Sequence, residues 1–172
     1  MRSNALCLAS ASLLLAACAS SGSAPAGATA RADIEARSGS NVSGTATFSE
    51  VKGGVRVVVD VSGATPGEHA VHLHEKGDCS APDGASAGGH FNPAAMPHAA
   101  PTAPQRHAGD FGNMTVGADG KGHLDLTTDQ LTVAAGPNSV MGRGIIFHAK
   151  VDDFTTQPTG NAGGRIGCGV VK

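Results

Sequence analysis

The histidines of this chain are concentrated in residues 69–110, and this concentration constrains the fold more than any other feature. Six of the eight histidines lie in this segment, with Cys79 and Asp110 among them. A further histidine, His148, follows a later apolar run. Imidazole and carboxylate groups at this density indicate a metal site. We therefore expect the rest of the chain to form a scaffold that holds this segment and brings His148 to it.

The composition favours a β-rich scaffold. The chain has 172 residues, enough for one domain with a core, and it contains 25 glycines, five phenylalanines and no tryptophan or tyrosine. Its core must then be built mainly from Val, Ile, Leu and Ala. Short β-branched runs separated by glycines are typical of an all-β domain. The formal net charge of −2 gives no support for nucleic-acid binding, which requires a basic face.

Alternation of apolar and polar residues predicts a sheet of about eight antiparallel strands. The pattern is clearest over residues 55–61, which read Val-Arg-Val-Val-Val-Asp-Val. The other runs that favour strands cover residues 33–37, 42–50, 69–74, 112–116, 122–126, 131–135, 140–148 and 166–171. Two long segments without periodicity, residues 75–106 and 149–164, are predicted to be loops. A loop as long as the first is normally functional or disordered, and its histidines favour function.

The N-terminus has the features of an export signal. Residues 1–2 give a short positive start, and residues 5–17 form an apolar run too short to span a bilayer comfortably. Residues 15–18, Leu-Ala-Ala-Cys, resemble a bacterial lipobox, in which Cys18 becomes the lipidated first residue. An ordinary secretory signal with a chance cysteine is the alternative. We predict a lipoprotein signal peptide over residues 1–17, a flexible tether over residues 18–31 and one domain over residues 32–172.

Ser20 bears on the location of the protein, and the cysteines bear on a disulfide. Ser20 provides no inner-membrane retention signal of the aspartate type, so we expect an anchor in the outer membrane, on its periplasmic side. Cys7 is removed with the signal and Cys18 carries lipid, which leaves Cys79 and Cys168. In an exported, oxidising setting these two thiols are expected to form a disulfide.

The spacing of the histidines predicts where ligands meet. His72 and His74 are two residues apart, so on a strand their imidazoles project from the same face. His69 differs from both in parity and is expected to be a structural, hydrogen-bonded histidine. Further along, His90, His98, His107 and Asp110 provide three imidazoles and one carboxylate. Such a set completes a closed tetrahedral zinc site with a structural role.

Five motifs in sequence order resemble the copper/zinc superoxide dismutase family, in its bacterial periplasmic form. They are H-L-H-E-K-G-D-C at residues 72–79, G-G-H-F-N-P at 88–93, R-H-A-G-D-F-G-N at 106–113, G-R-G-I-I-F-H-A-K at 142–150 and G-N-A-G-G-R-I-G-C-G-V at 160–170. The resemblance extends from about residue 32 to residue 172. It implies a flattened Greek-key β-barrel or sandwich with two long loops that build the metal site.

The resemblance also implies a role for each motif residue. It places copper on His72, His74, His90 and His148, and zinc on His90, His98, His107 and Asp110. His90 would bridge the two metals through both ring nitrogens. Asp152 would hydrogen-bond one copper histidine and one zinc histidine, with Asp153 as the neighbouring candidate. The disulfide would join Cys79 and Cys168, and Arg165 would attract and orient the anionic substrate.

The activity implied is the dismutation of superoxide to O2 and H2O2 by a copper ion that alternates between Cu(II) and Cu(I), beside a structural Zn(II). The alternative from another class is a non-enzymatic exported module that binds or delivers copper and zinc. An adhesion domain with surface histidines fails on the number of ligands. Arg143 is expected to be structural and His123 to lie on the surface. The sequence leaves both a monomer and a homodimer open.

Overall fold

The computed structural model describes residues 27–172. The predicted signal peptide, the lipidation site Cys18 and most of the predicted tether lie outside the described residues. Within residues 27–172 the fold is all-β, with one short 3-10 helix at Ala85–Ala87. No helix in this part of the chain is long and apolar enough to cross a membrane.

Eight strands form a closed barrel. They are β1 (Thr29–Ala36), β2 (Ser43–Val51), β3 (Gly54–Ser62), β4 (Gly67–His74), β5 (Asp110–Val116), β6 (Gly122–Thr128), β7 (Gly144–His148) and β8 (Arg165–Val170). Their order around the barrel is β1-β2-β3-β6-β5-β4-β7-β8, and antiparallel pairing of β1 with β8 closes it. The neighbours β3–β6 and β4–β7 are not consecutive in the chain, which is a Greek-key arrangement. The predicted fold class is confirmed.

Alternation along the strands places one face of each in the barrel interior. On β3 the four valines at positions 55, 57, 59 and 61 are buried, while Arg56 and Asp60 point to solvent. Phe48, Phe111 and Phe147 are the largest fully buried side chains among the described residues. Because the chain has no tryptophan or tyrosine, these rings and the β-branched residues around them fill the interior.

The barrel begins earlier than the sequence predicted. β1 starts at Thr29, whereas residues 29–31 were predicted to belong to the flexible tether. Ala30 pairs with Phe48 on β2 and is buried, and Arg31 N donates to Lys172 O at 2.9 Å. These contacts hold the segment in the sheet, so the domain includes residues 29–31.

The segment before β7 also differs from the prediction. Residues 131–135 form no strand, and β7 begins at Gly144 rather than at residue 140. The segment folds back on itself instead, and Val140 N donates to Thr132 O at 2.9 Å. Leu131 and Val133 are nevertheless buried against the core, which explains why their alternation resembled that of a strand.

Two long connections, residues 75–109 and 149–164, cover the outside of the barrel at β4 and β7. On β4, Val71 and Leu73 belong to the interior core, so His72 and His74 point outward. Both histidines are nevertheless fully buried. The two connections therefore enclose a polar space between themselves and the outer face of the barrel.

Candidate metal centre

The pairing of β4 with β7 brings the first group of histidines together. His72 and His74 lie on the outer face of β4, as their spacing predicted. β7 pairs with β4 through His72 and Ile146, and His148 ends β7 on the same side. His90, in the first long connection, forms an isolated β-bridge with His74. The ligand atoms of these four buried histidines lie within 4.8 Å of one another.

Each of these four histidines has one ring nitrogen that lacks a partner. Among the described residues, four buried side-chain polar atoms make no hydrogen bond, and they are His72 Nδ1, His74 Nε2, His90 Nε2 and His148 Nε2. A buried polar atom without a partner costs about 1–3 kcal/mol, so four in one place require an explanation. A metal ion bound by all four nitrogens would remove that cost, and four imidazoles suit copper.

The opposite ring nitrogens of three of these histidines are held by the protein. His72 Nε2 donates to Asp152 Oδ2 at 2.7 Å, His74 Nδ1 donates to Gly88 O at 2.9 Å, and His148 Nδ1 lies 3.4 Å from Gly163 O. Because these nitrogens carry the proton, the opposite nitrogens are left unprotonated for a metal. The contacts therefore fix both the tautomer and the orientation of each ring.

A second group surrounds one carboxylate oxygen. The Nδ1 atoms of His90, His98 and His107 lie 2.9, 3.0 and 3.2 Å from Asp110 Oδ1. His107 Nδ1 lies 3.4 Å from His90 Nδ1. In a tetrahedral zinc site with metal–ligand distances of about 2.0 Å, neighbouring ligand atoms are about 3.3 Å apart. The four residues therefore already have the size and the donor set of a tetrahedral zinc site.

His90 belongs to both groups. Its Nδ1 faces Asp110 and its Nε2 faces the first group, so one imidazole spans the space between the two candidate sites. The structure thus brings together every residue predicted to bind a metal, in the two sets that the resemblance implies.

Asp152 connects the two groups from behind. Its Oδ2 accepts from His72 and its Oδ1 accepts from His98 Nε2 at 2.9 Å. The backbone of Asp152 is fixed by Asn113 on β5, whose Oδ1 accepts from Asp152 N at 2.7 Å and whose Nδ2 donates to Asp152 O at 3.0 Å. Asp153 instead caps the turn that follows, accepting from Thr156 N at 2.8 Å. Of the two aspartates considered from the sequence, Asp152 is the one at the site.

Burial and hydrogen bonding set the protonation of the site. Burial lowers the pKa values of His72, His74 and His148, and lowers that of His90 to about 4, so these rings are neutral near pH 7. Burial also opposes charge on His98, but hydrogen bonds to Asp110 and Asp152 outweigh it and raise the pKa of His98 to about 9. Hydrogen bonds from the histidines overcome the effect of burial and hold the pKa of both aspartates well below the usual range. The four histidines of the first group and the two aspartates are therefore in the forms that bind metal, whereas His98 must release a proton first.

Arg165, at the start of β8, is held by two backbone carbonyls of the first long connection. Its Nη1 donates to Gly84 O at 2.8 Å and its Nη2 donates to Gly88 O at 2.7 Å. Gly88 O also accepts from His74 Nδ1, so a single carbonyl links the guanidinium to the first histidine group. The half-buried side chain is therefore placed beside that group by hydrogen bonds rather than left to move freely in solvent.

A disulfide joins Cys79 to Cys168, with a Cα–Cα distance of 5.8 Å and a sequence separation of 89 residues. The predicted pairing is confirmed. Cys79 lies in the connection that carries Gly84 and Gly88, and Cys168 lies on β8, three residues after Arg165. The bond therefore ties the carbonyls that hold the guanidinium to the strand that carries it.

Three residues outside the site also lie where the sequence predicted. His69 is buried, and its Nδ1 donates to His148 O at 2.8 Å, so it is a hydrogen-bonded structural histidine. His123 is exposed and lies 2.7 Å from Asp60 Oδ1. Arg143 packs its guanidinium 4.1 Å from the centre of the Phe91 ring and has a structural role.

Sequence reasoning missed Asn113, although it ends the motif at residues 106–113. It also missed the carbonyls of Gly84, Gly88 and Gly163. Any residue offers a backbone carbonyl, so these contacts depend on the path of the loops and leave no signal in residue type. The motif was the only pointer to Asn113.

Comparisons with known proteins agree with this geometry. Residues 42–171 match the family model described as copper/zinc superoxide dismutase. The chain is 44% identical over 173 residues to "Superoxide dismutase [Cu-Zn]" of Deinococcus radiodurans, covering 93% of this chain and 91% of the relative. It is 41% identical over 154 residues to "Extracellular superoxide dismutase [Cu-Zn]" of Brugia pahangi, covering 84% of this chain and 75% of the relative.

A solved structure, the crystal structure of the clock protein EA4, matches with a TM-score of 0.76 and 37% sequence identity, covering 86% of this chain and 95% of that one. The family match covers most of the barrel and both long connections. This chain belongs to the copper/zinc superoxide dismutase family.

Proposed function

We propose that the chain converts superoxide to O2 and H2O2, with copper held by His72, His74, His90 and His148 and zinc held by His90, His98, His107 and Asp110. The observation that carries this proposal is a group of four buried nitrogens that make no hydrogen bond within residues 27–172, beside a group of three nitrogens and one carboxylate oxygen. His90 belongs to both groups. Copper, when bound, supplies the one-electron chemistry that oxidises one superoxide and reduces the next.

The zinc set has a structural task in this proposal. Its four protein ligands leave no open position for a substrate, which is the pattern of a structural zinc site. His98, His107 and Asp110 come from the first long connection and its junction with β5. Closing them around one ion holds that connection in place, and with it the ring of His90.

His90 is the residue best placed to carry a proton to the product. Its Nε2 faces the copper set, while its Nδ1 is committed to the Asp110 side. When Nε2 is not bound to copper it could hold a proton beside the copper set, and that proton could pass to the peroxide product. Formation of H2O2 requires protons, so this position answers a need of the reaction.

Arg165 is the residue best placed to attract the substrate. Superoxide is a small anion, and a guanidinium beside the copper set raises its local concentration and orients it. The carbonyls of Gly84 and Gly88 hold this cation next to the copper set. Binding energy is therefore not spent on ordering the side chain when the substrate arrives.

Selective loss of metals tests the assignment. We would express His74→Ala and His107→Ala variants, supply both metals, and measure the copper and zinc content and the rate of superoxide loss. We expect His74→Ala to lose copper and activity but keep zinc, and His107→Ala to lose zinc. A protein that holds one copper and one zinc but does not dismute superoxide would favour the non-enzymatic metal-binding module instead.

Export and anchoring are part of the proposal. We infer that Cys18 carries lipid and holds the domain on the periplasmic side of the outer membrane. Support comes from the lipobox-like residues 15–18, from a disulfide, which is typical of oxidising compartments, and from the relative that is named extracellular. Mass spectrometry of the mature N-terminus and membrane fractionation of a Cys18→Ala variant test it; an unmodified Cys18 would contradict the anchor.

A further inference from the structure

Gln157, in the connection of residues 149–164, pairs with the main chain of His98. Its Oε1 accepts from His98 N at 2.8 Å and its Nε2 donates to His98 O at 2.8 Å. A side-chain amide that satisfies both backbone groups of one residue imitates a strand partner. It fixes the backbone position of His98 as well as its direction.

The same connection also holds the ring of His98. Asp152 Oδ1 accepts from His98 Nε2 at 2.9 Å, so two residues of one connection contact His98 at its backbone N–H, its backbone carbonyl and its ring. The remaining ring nitrogen, Nδ1, faces Asp110 Oδ1 at 3.0 Å. The position of that nitrogen is therefore set by contacts from the second connection.

The segment that presents Gln157 is a compact turn. Asp153 Oδ1 accepts from Thr155 N at 3.0 Å and from Thr156 N at 2.8 Å, and Asp153 N donates to Gly160 O at 2.9 Å. Gly160 lies so close to the Asp152 carboxylate and the His98 ring that any Cβ there would overlap both. The turn is thus packed directly against the imidazole of His98, and Gln157 contacts the main chain of the same residue.

We infer that Gln157 is a positioning residue for the zinc ligand His98, through which zinc binding and the order of residues 149–164 stabilise each other. The inference rests on the zinc assignment proposed above. It adds Gln157, which is not one of the proposed metal ligands and lies outside the metal-ligand motifs. Because the same connection contains Gly163, whose carbonyl faces His148 Nδ1, order in the connection also reaches the copper side.

The test compares the full chain with Gln157→Ala and Gln157→Glu variants. Gln105→Ala is the matched control, since Gln105 is an exposed glutamine two residues before His107 whose side chain makes no hydrogen bond within residues 27–172. Zinc affinity is measured by competition with a coloured chelator. Hydrogen exchange of residues 149–164 is measured with and without zinc, and the visible spectrum of Co(II) placed in the zinc site reports ligand geometry.

We expect Gln157→Ala to weaken zinc binding by about tenfold, equivalent to about 1.4 kcal/mol, and to reduce the protection that zinc gives residues 149–164. Gln157→Glu should fall between Gln157→Ala and the unchanged protein, because its carboxylate still accepts from His98 N but cannot donate to His98 O. The Co(II) spectrum should change in Gln157→Ala, and Gln105→Ala should match the unchanged protein in all three measurements.

Zinc affinity in Gln157→Ala within about twofold of the unchanged protein would overturn the inference. A lower melting temperature with unchanged zinc affinity and Co(II) spectrum would also overturn it, because that result describes general stabilisation. If the unchanged protein bound no zinc, the zinc assignment itself would fall, and the inference with it.

Discussion

His90 Nδ1 lies 2.9 Å from Asp110 Oδ1, while its opposite nitrogen, Nε2, is buried without a hydrogen-bond partner among residues 27–172. One ring therefore faces a carboxylate on one side and a group of imidazole nitrogens on the other. No other residue belongs to both of the candidate metal groups in the described part of the chain. Both proposed metals depend on the position of this one side chain.

Replacing His90 should affect both metals. A His90→Ala variant removes one nitrogen from each group, so we expect loss of activity together with at least about tenfold weaker zinc binding. Metal content and zinc affinity measured on the purified variant check this, with His123→Ala as the control because His123 is exposed and belongs to neither group. A zinc affinity in His90→Ala equal to that of the unchanged protein would contradict the shared ring.

Asp152 should control metal affinity without binding metal. In Asp152→Asn the amide nitrogen cannot accept from an imidazole, so either His72 or His98 loses its partner. We expect copper or zinc affinity to fall by about 10- to 100-fold, as is typical of residues that orient metal ligands. Asp153→Asn, which alters a cap on the next turn, is the control. Equal metal affinities in the two variants would rule out the linking role of Asp152.

Arg165 should act on the rate and leave the metals in place. We expect Arg165→Ala to keep both metals and lose about tenfold in activity, and to lose much of the dependence of the rate on ionic strength. Arg165→Lys keeps the charge but loses the paired contacts to Gly84 and Gly88, so its activity should be intermediate. Stopped-flow measurements at several salt concentrations test this. An unchanged rate in Arg165→Ala would show that the guanidinium does not guide the anion.

The disulfide should stabilise the whole domain. Cys79→Ser removes the covalent bond that joins the first connection to β8 across a sequence separation of 89 residues. We expect the unfolding free energy to fall by about 2–4 kcal/mol in oxidising buffer. Unfolding of both proteins by denaturant measures it. In reducing buffer the difference should disappear, and a difference that persisted there would have another origin.

Zinc affinity should fall as the pH falls. Against the effect of burial, hydrogen bonds to Asp110 and Asp152 raise the pKa of His98 to about 9, so the metal-free ring carries a proton near pH 7. Zinc must displace that proton, and acid favours the protonated ring. We therefore expect about tenfold weaker zinc binding per pH unit between about pH 8 and 6 for each proton displaced. Titrations at several pH values, with proton release measured in weak buffer, would show a flat profile if this were wrong.

The parts of the site that follow residue type and short spacing could be predicted from the sequence. The two-residue interval between His72 and His74 predicted that both side chains lie on one face of the strand. His69 is an odd number of residues from each of them, which predicted that it lies on the other face. The cysteine count predicted the disulfide. In each case the answer depends on local geometry or on the chemistry of the residue itself.

The parts that depend on tertiary contacts could not be predicted in this way. Leu131 and Val133 alternate with polar residues as a strand would, but burial is shared by strands and by turns packed on a core, so the pattern could not separate them. Gln157 is an ordinary polar residue until the fold brings it to His98, which lies 59 positions away. The carbonyls that hold Arg165 are likewise defined only by the path of the connection.

The rate of superoxide loss with and without copper tests the central claim most directly. The zinc-loaded chain is measured first, one equivalent of copper is added, and the metal content is determined on the same sample. We predict no catalysis with zinc alone and fast catalysis once each chain holds one copper and one zinc. Full occupancy by both metals with superoxide decaying no faster than in buffer would contradict the account.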